Sequence, residues 1–231
     1  MKKKSEHYVN NKEFLHQIYC MANPTYTGRV TVPVLWDKET KTIINNESSE
    51  IIRMFNSAFN QETGNTLDFY PEALRKQIDE MNDFVYHSIN NGVYKAGFST
   101  NQDVYHEEVQ KLFSALDSLE ERLSSSRYLI GDQITEADWR LFTTLLRFDP
   151  VYVGHFKCNI RRIEDYPNLS NYLRELYQID GIADTVHMDH IKDHYYKSHL
   201  TINPTQIVPD GPEFDYMQPH NRATLSQDNA A

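Results

Sequence analysis

The chain has 231 residues, 39% of them hydrophobic and 12% aromatic, with a formal net charge of −10. That supplies enough apolar side chain for one large folded domain or two small ones and sets disorder aside as the general state. The acidic balance shows no concentrated basic face for nucleic acid, and no run of about 18 apolar residues is present to span a membrane.

Residues 11–22 read as a helix, with Phe14, Leu15, Ile18 and Tyr19 on one apolar face and Asn23-Pro24 as its stop. Val30–Trp36 reads as a strand in which Pro33 offers no ladder hydrogen bond. A turn at Lys38–Lys41 and a short strand at Thr42–Ile44 follow. The next helix is expected from near Asn46 to Phe59, with Asn46 and Ser48 as N-cap types and Glu47 and Glu50 at its positive end. This order, helix, strand, strand, helix, is the second half of a thioredoxin-like fold. Ten residues cannot supply a preceding strand–helix–strand, so the chain reads as N-terminally truncated.

The rest reads as helical. Residues 61–70 are a polar linker, and Pro71–Asn91 is a helix with Pro71 at its first position, N1. Asp103–Ser124 places Val109, Leu112, Phe113, Leu116 and Leu119 on one face. Thr135-Glu-Ala-Asp138 is a capping box opening a helix to Phe148. Asn168–Ile179, closed by Gly181, and Asp189–Tyr196 complete the set, and from about Leu200 the chain is Pro-rich and irregular. Residues 223–231 are expected to be disordered. The fold class is thus α/β followed by all-α. Its divisions are residues 1–60 (partial thioredoxin-like segment), 61–70 (linker), 71–200 (helical domain) and 201–231 (tail).

The two cysteines, Cys20 and Cys158, match no disulfide or zinc spacing, which fits a cytoplasmic protein. Each is read as a small buried hydrophobe. Met1-Lys-Lys-Lys begins like a signal peptide, but no apolar segment follows. His187, His190 and His194 fall at helical spacing, yet no cysteine is close in sequence, and no metal site is assigned. Glu47-Ser48 at a helix start can bind a carboxylate through free amides and a hydroxyl, while a glutamate can accept an ammonium; ordinary capping is the plain alternative. Of fifteen tyrosines, any one taken at random is more often packing than chemistry.

Five runs carry a resemblance. They are Thr31-Val-Pro-Val-Leu-Trp-Asp37, Asn45-Asn-Glu-Ser-Ser-Glu-Ile51, Asn91-Gly-Val-Tyr-Lys-Ala-Gly-Phe98, Arg147-Phe-Asp-Pro-Val-Tyr-Val-Gly-His-Phe-Lys-Cys158 and His190-Ile-Lys-Asp-His-Tyr-Tyr-Lys-Ser-His199. Together they closely resemble the glutathionyl-hydroquinone reductases, the Xi class of glutathione transferases. The likeness runs from about Arg29 to about Arg222. It implies a partial thioredoxin-like segment followed by the helical glutathione-transferase C-terminal domain. It implies glutathione as co-substrate, with the Val32 backbone before a cis Pro33 on its cysteinyl part and Glu47 and Ser48 on its γ-glutamyl end. It implies that Tyr94, Tyr152 and Tyr195 hydrogen-bond a quinone- or hydroquinone-type substrate, and that the protein is a homodimer.

There are two departures. His16 stands near the helix position where family members carry an arginine on the glycyl carboxylate. The family's nucleophilic Cys-Pro-Trp segment is absent from this sequence. The family reaction is glutathione-dependent reductive deglutathionylation of quinone conjugates, and without that cysteine the chain alone is expected to have weak or no activity. The alternative is a non-catalytic module that binds glutathione or aromatic ligands, or that dimerises.

Overall fold

A computed structural model of the chain describes residues 9–225, in two units that divide between Asp68 and Phe69. The expectations for Met1–Lys4 and for the last six residues lie outside the described residues.

The first unit is a small α/β segment. Helix α1 covers Leu15–Ala22, shorter than the expected 11–22. Asn11 takes a left-handed φ of 49°, which interrupts a helix, and the Glu13 and Phe14 amides donate instead to the Gln17 side chain, each at 3.0 Å. Strands β1 (Leu35–Asp37) and β2 (Thr42–Asn45) pair antiparallel, Leu35 with Asn45, Trp36 with Ile43 and Asp37 with Thr42. The expected strand at Val30 therefore begins five residues late. Its partner ends at Asn45, and Pro33 follows a cis peptide and has no N–H to give a ladder. Helix α2 spans Ser48–Ser57 with Glu47 as N-cap. A single turn, α3 (Asn60–Thr63), then occupies the start of the expected linker and ends on Gly64 at φ 67°. Among the described residues of this unit only Ile18, Tyr19 and Ile51 are buried apolar side chains.

The second unit is helical and holds the main core. Pro71 stands just before a 3-10 turn at Glu72–Leu74, and α4 runs Arg75–Val85. The expected single helix to Asn91 continues instead as a π-helical turn, Tyr86–Asn90, before α5 (Gly92–Gly97). Helix α6 spans Gln102–Leu123, and its N-cap Asn101 accepts from the amides of Asp103 (2.8 Å) and Val104 (3.1 Å). Val109, Leu112, Phe113, Leu116 and Leu119 are all buried.

Helix α7 spans Glu136–Arg147 on the expected Thr135–Asp138 box. The fully buried Asp138 carboxylate accepts from Thr135 N–H (2.8 Å), Thr135 Oγ1 (3.0 Å), Leu129 N–H (2.9 Å) and Tyr172 Oη (2.7 Å). A second π turn, Phe148–Tyr152, continues α7 into the short α8 (Val153–His155). Helices α9 (Pro167–Tyr177) and α10 (Met188–Ser198) follow. The tail was expected to be disordered from Ala223. Instead Arg222–Leu225 form a 3-10 turn, and the buried Arg222 guanidinium donates to the carbonyls of Leu123 (2.5 Å), Ser126 and Arg127 (2.7 Å), capping the end of α6.

Candidate functional site

In the helical unit, Tyr94 comes from α5, Tyr152 from the second π turn and Tyr195 from α10. Their three hydroxyls form a chain with Tyr195 in the middle: its Oη lies 2.6 Å from Tyr94 Oη and 2.8 Å from Tyr152 Oη. Tyr152 and Tyr195 are 2% and 5% exposed, whereas Tyr94 is 37% exposed, so solvent reaches the chain from the Tyr94 end. Burial, then the neighbouring tyrosines, pushes the Tyr94 and Tyr152 phenols well above the usual value of 10. Both remain proton donors at neutral pH. Three hydroxyls linked by two mutual hydrogen bonds leave one O–H free to donate outward. Tyr196, the neighbour most easily confused with Tyr195, instead points its hydroxyl toward the Val151 carbonyl at 3.5 Å.

Aromatic rings hold this chain from behind. Tyr152 stacks on Phe156 (5.5 Å, 1°), Phe156 on His199 (5.8 Å, 12°), and Tyr94 on Phe98 (6.4 Å, 9°). Gly97 makes the packing possible, because a Cβ there would overlap the Phe156 ring. His155 Nε2 and His199 Nδ1 are hydrogen-bonded at 3.1 Å and join the end of α8 to the end of α10. Burial, then His199, then Lys157 lowers His155 to about 4, so it is neutral at ordinary pH. Asp149, in the same π turn as Tyr152, accepts from the amides of Ile163 (2.7 Å) and Glu164 (3.0 Å). Burial raises its carboxyl to about 6.

In the α/β unit the Val32–Pro33 peptide is cis and Val32 is 75% exposed. Among the described residues neither backbone group of Val32 has a hydrogen-bond partner. Glu47 is the N-cap of α2 and Ser48 its first residue. His16 is exposed on α1, its ring stacked on Phe14 at 5.6 Å. The Tyr19 hydroxyl, on the neighbouring turn, reaches both Thr31 and Asn46.

The cysteines differ from each other. Cys158 is fully buried, and burial pushes its thiol up to about 12. Cys20 is exposed on α1, which corrects the expectation of burial. Among the described residues no three His, Cys, Asp or Glu side chains are placed to hold a metal ion. His187 caps α10 with its ring 5.2 Å from His190, while His194 rests against Tyr195 and His199. Among the described residues no helix is long and apolar enough to cross a membrane.

Tyr19, His155 and His199 were not singled out in the sequence. Both histidines lie inside the quoted runs and follow the site tyrosines closely, which was the available signal. For Tyr19 it was the hydroxyl itself, which needs a partner once the ring sits on a buried helix face.

The fold is that of the glutathione transferases, and comparison with known proteins sharpens that class. Residues 102–175 match the family model described as glutathione S-transferase, C-terminal domain. The chain is 58% identical over 210 residues to the glutathionyl-hydroquinone reductase YqjG of Escherichia coli (strain K12), a match covering 91% of this chain and 64% of that protein. It is 54% identical over 204 residues to the glutathionyl-hydroquinone reductase PcpF of Sphingobium chlorophenolicum, covering 88% and 65% respectively. The glutathione-bound structure of YqjG superposes with a TM-score of 0.92 at 56% identity, over 94% of this chain and 70% of that one. The chain belongs to the glutathionyl-hydroquinone reductase family, the Xi class of glutathione transferases. It spans less than two thirds of the length of these two curated relatives. Matches that take in 88–91% of this chain lend the expected truncation no support.

Proposed function

We propose that this chain binds glutathione through the Val32 backbone, Glu47 and Ser48, and presents Tyr94, Tyr152 and Tyr195 to an oxygen of a quinone- or hydroquinone-type substrate. The reaction class is glutathione-dependent reductive deglutathionylation. A thiolate attacks the thioether sulfur, the carbon–sulfur bond breaks, the hydroquinone leaves with a proton, and a second glutathione resolves the mixed disulfide. The observation that carries this reading is the chain of three phenol hydroxyls at 2.6 and 2.8 Å, buried at one end and open at the other. Phenols held protonated can donate to a quinone-type oxygen and stabilise the phenolate that forms as the thioether breaks. Support for glutathione comes from the Val32 backbone, which has no partner among the described residues, and from the exposed start of α2, features that suit strand-like pairing and carboxylate capture.

This 231-residue sequence holds no Cys-Pro-Trp segment, and Cys158 is buried with its thiol raised to about 12. The chain by itself therefore has weak or no reductase activity, and it acts as a homodimer in the cytoplasm. Titration calorimetry with glutathione tests the binding. The double variant Glu47→Ala/Ser48→Ala loses at least about tenfold in affinity, in line with loss of charge-assisted hydrogen bonds; tight binding indifferent to both substitutions removes the site. In turnover of a glutathionyl-hydroquinone, Cys20→Ser and Cys158→Ser leave the residual rate unchanged. Robust activity lost in either variant would identify a nucleophile and refute the impairment.

A further inference from the structure

We infer that Tyr19 is a positioning residue that sets the spacing between the two halves of the glutathione site in the α/β unit. The inference rests on the glutathione reading above and adds a residue to it. Tyr19 is 3% exposed on α1, its ring tilted against Tyr26 at 4.9 Å. Its hydroxyl donates to the Thr31 carbonyl at 2.9 Å and accepts from the Thr31 amide at 3.3 Å. It also accepts from Asn46 Nδ2 at 3.1 Å, and the same Asn46 amide reaches Thr31 Oγ1 at 3.4 Å. Thr31 immediately precedes Val32, and Asn46 immediately precedes Glu47 and Ser48. One phenol oxygen thus ties the residue before the exposed Val32 backbone to the residue before the α2 N-terminus.

No ladder does this job, because β1 starts only at Leu35. Without the Tyr19 hydroxyl, residues 30–34 keep few fixed partners on the side facing Asn46. Glutathione is one ligand with two ends, so its affinity over a fragment depends on both subsites being held at the right separation before it binds. Tyr19 need not touch the ligand to control that separation.

Tyr19→Phe keeps the ring in place and removes only the hydroxyl. NMR titration of wild type and variant with glutathione and with cysteinylglycine, which lacks the γ-glutamyl end, reads the coupling. The preference for glutathione over cysteinylglycine is expected to fall at least about fivefold in Tyr19→Phe. An equal loss for both ligands, or an unchanged ratio, overturns the inference, because a merely structural hydroxyl would not move the ratio. Amide exchange of the unliganded protein supplies a second reading that needs no ligand. Exchange at the hydrogen-bonded amides of Thr31 and Glu47 is expected to speed up at least about tenfold in the variant while Leu112 is unmoved, and unchanged exchange overturns the inference. If wild type fails to bind glutathione and the exchange still rises, the glutathione reading fails and the positioning role stands.

Discussion

At the scale of single residues, two buried groups oppose each other in pH. Asp149 has its carboxyl raised by burial from near 3.8 to about 6. Between those values the folded state holds a proton that the unfolded chain releases, so this group's contribution to stability falls as pH rises from about 4 to 6. His155 is lowered from 6.5 to about 4. Between about 4 and 6.5 the unfolded chain holds the extra proton, so the contribution of His155 grows with pH across the same window. Each is worth about 3 kcal/mol at this size of shift. Urea unfolding at pH 4 and pH 6.5 checks the signs. Relative to wild type, Asp149→Asn should gain stability more steeply with rising pH and His155→Gln less steeply; parallel profiles would show neither shift to be real. None of this was legible in the sequence. Tyr152 stood out within its motif, but the buried environment of Asp149 and His155 exists only once the π turn brings residues 148–163 together. The start of α2 at Glu47-Ser48 was legible because capping residue types are a local feature.

At the scale of elements, α6 and α7 could be read nearly to the residue, because an apolar face and a capping box are written in consecutive positions. The two π turns could not. A π turn shifts the register by one residue without changing the apolar pattern enough to see, and both occur where a tyrosine of the site is delivered, Tyr94 just after one and Tyr152 at the end of the other. The strand from Val30 was overdrawn because β-branched composition reports side-chain preference and not the presence of a partner. The Arg222 clasp was missed because a basic residue in an irregular tail carries no local signal. Arg222→Met leaves three carbonyls at the end of α6 without their donor and should cost about 3 kcal/mol in chemical denaturation; a change below about 0.5 kcal/mol would show the clasp to be dispensable. Among the described residues the α/β unit buries only Ile18, Tyr19 and Ile51 as apolar core, against a large cluster in the helical unit. Amides of Trp36 and Ile43 should therefore exchange faster than those of residues 112–119. Equal protection in a demonstrated monomer would contradict the view of β1 and β2 as the weaker element.

At the scale of the whole molecule, the chain is a member of the Xi class of glutathione transferases that spans less than two thirds of the length of the two curated reductases it was compared with. Its helical unit matches the glutathione S-transferase C-terminal domain, and its α/β unit carries two strands among the described residues. The central claim is that the α/β unit offers a glutathione site and the helical unit a phenol site. The most direct measurement is calorimetric titration of glutathione and of hydroquinone, separately, into wild type, Glu47→Ala/Ser48→Ala and Tyr152→Phe. The first variant should lose at least about tenfold for glutathione and little for hydroquinone, whereas Tyr152→Phe should lose about five- to tenfold for hydroquinone and little for glutathione. Glutathione binding unchanged in the first variant, together with hydroquinone binding unchanged in Tyr152→Phe, would contradict it.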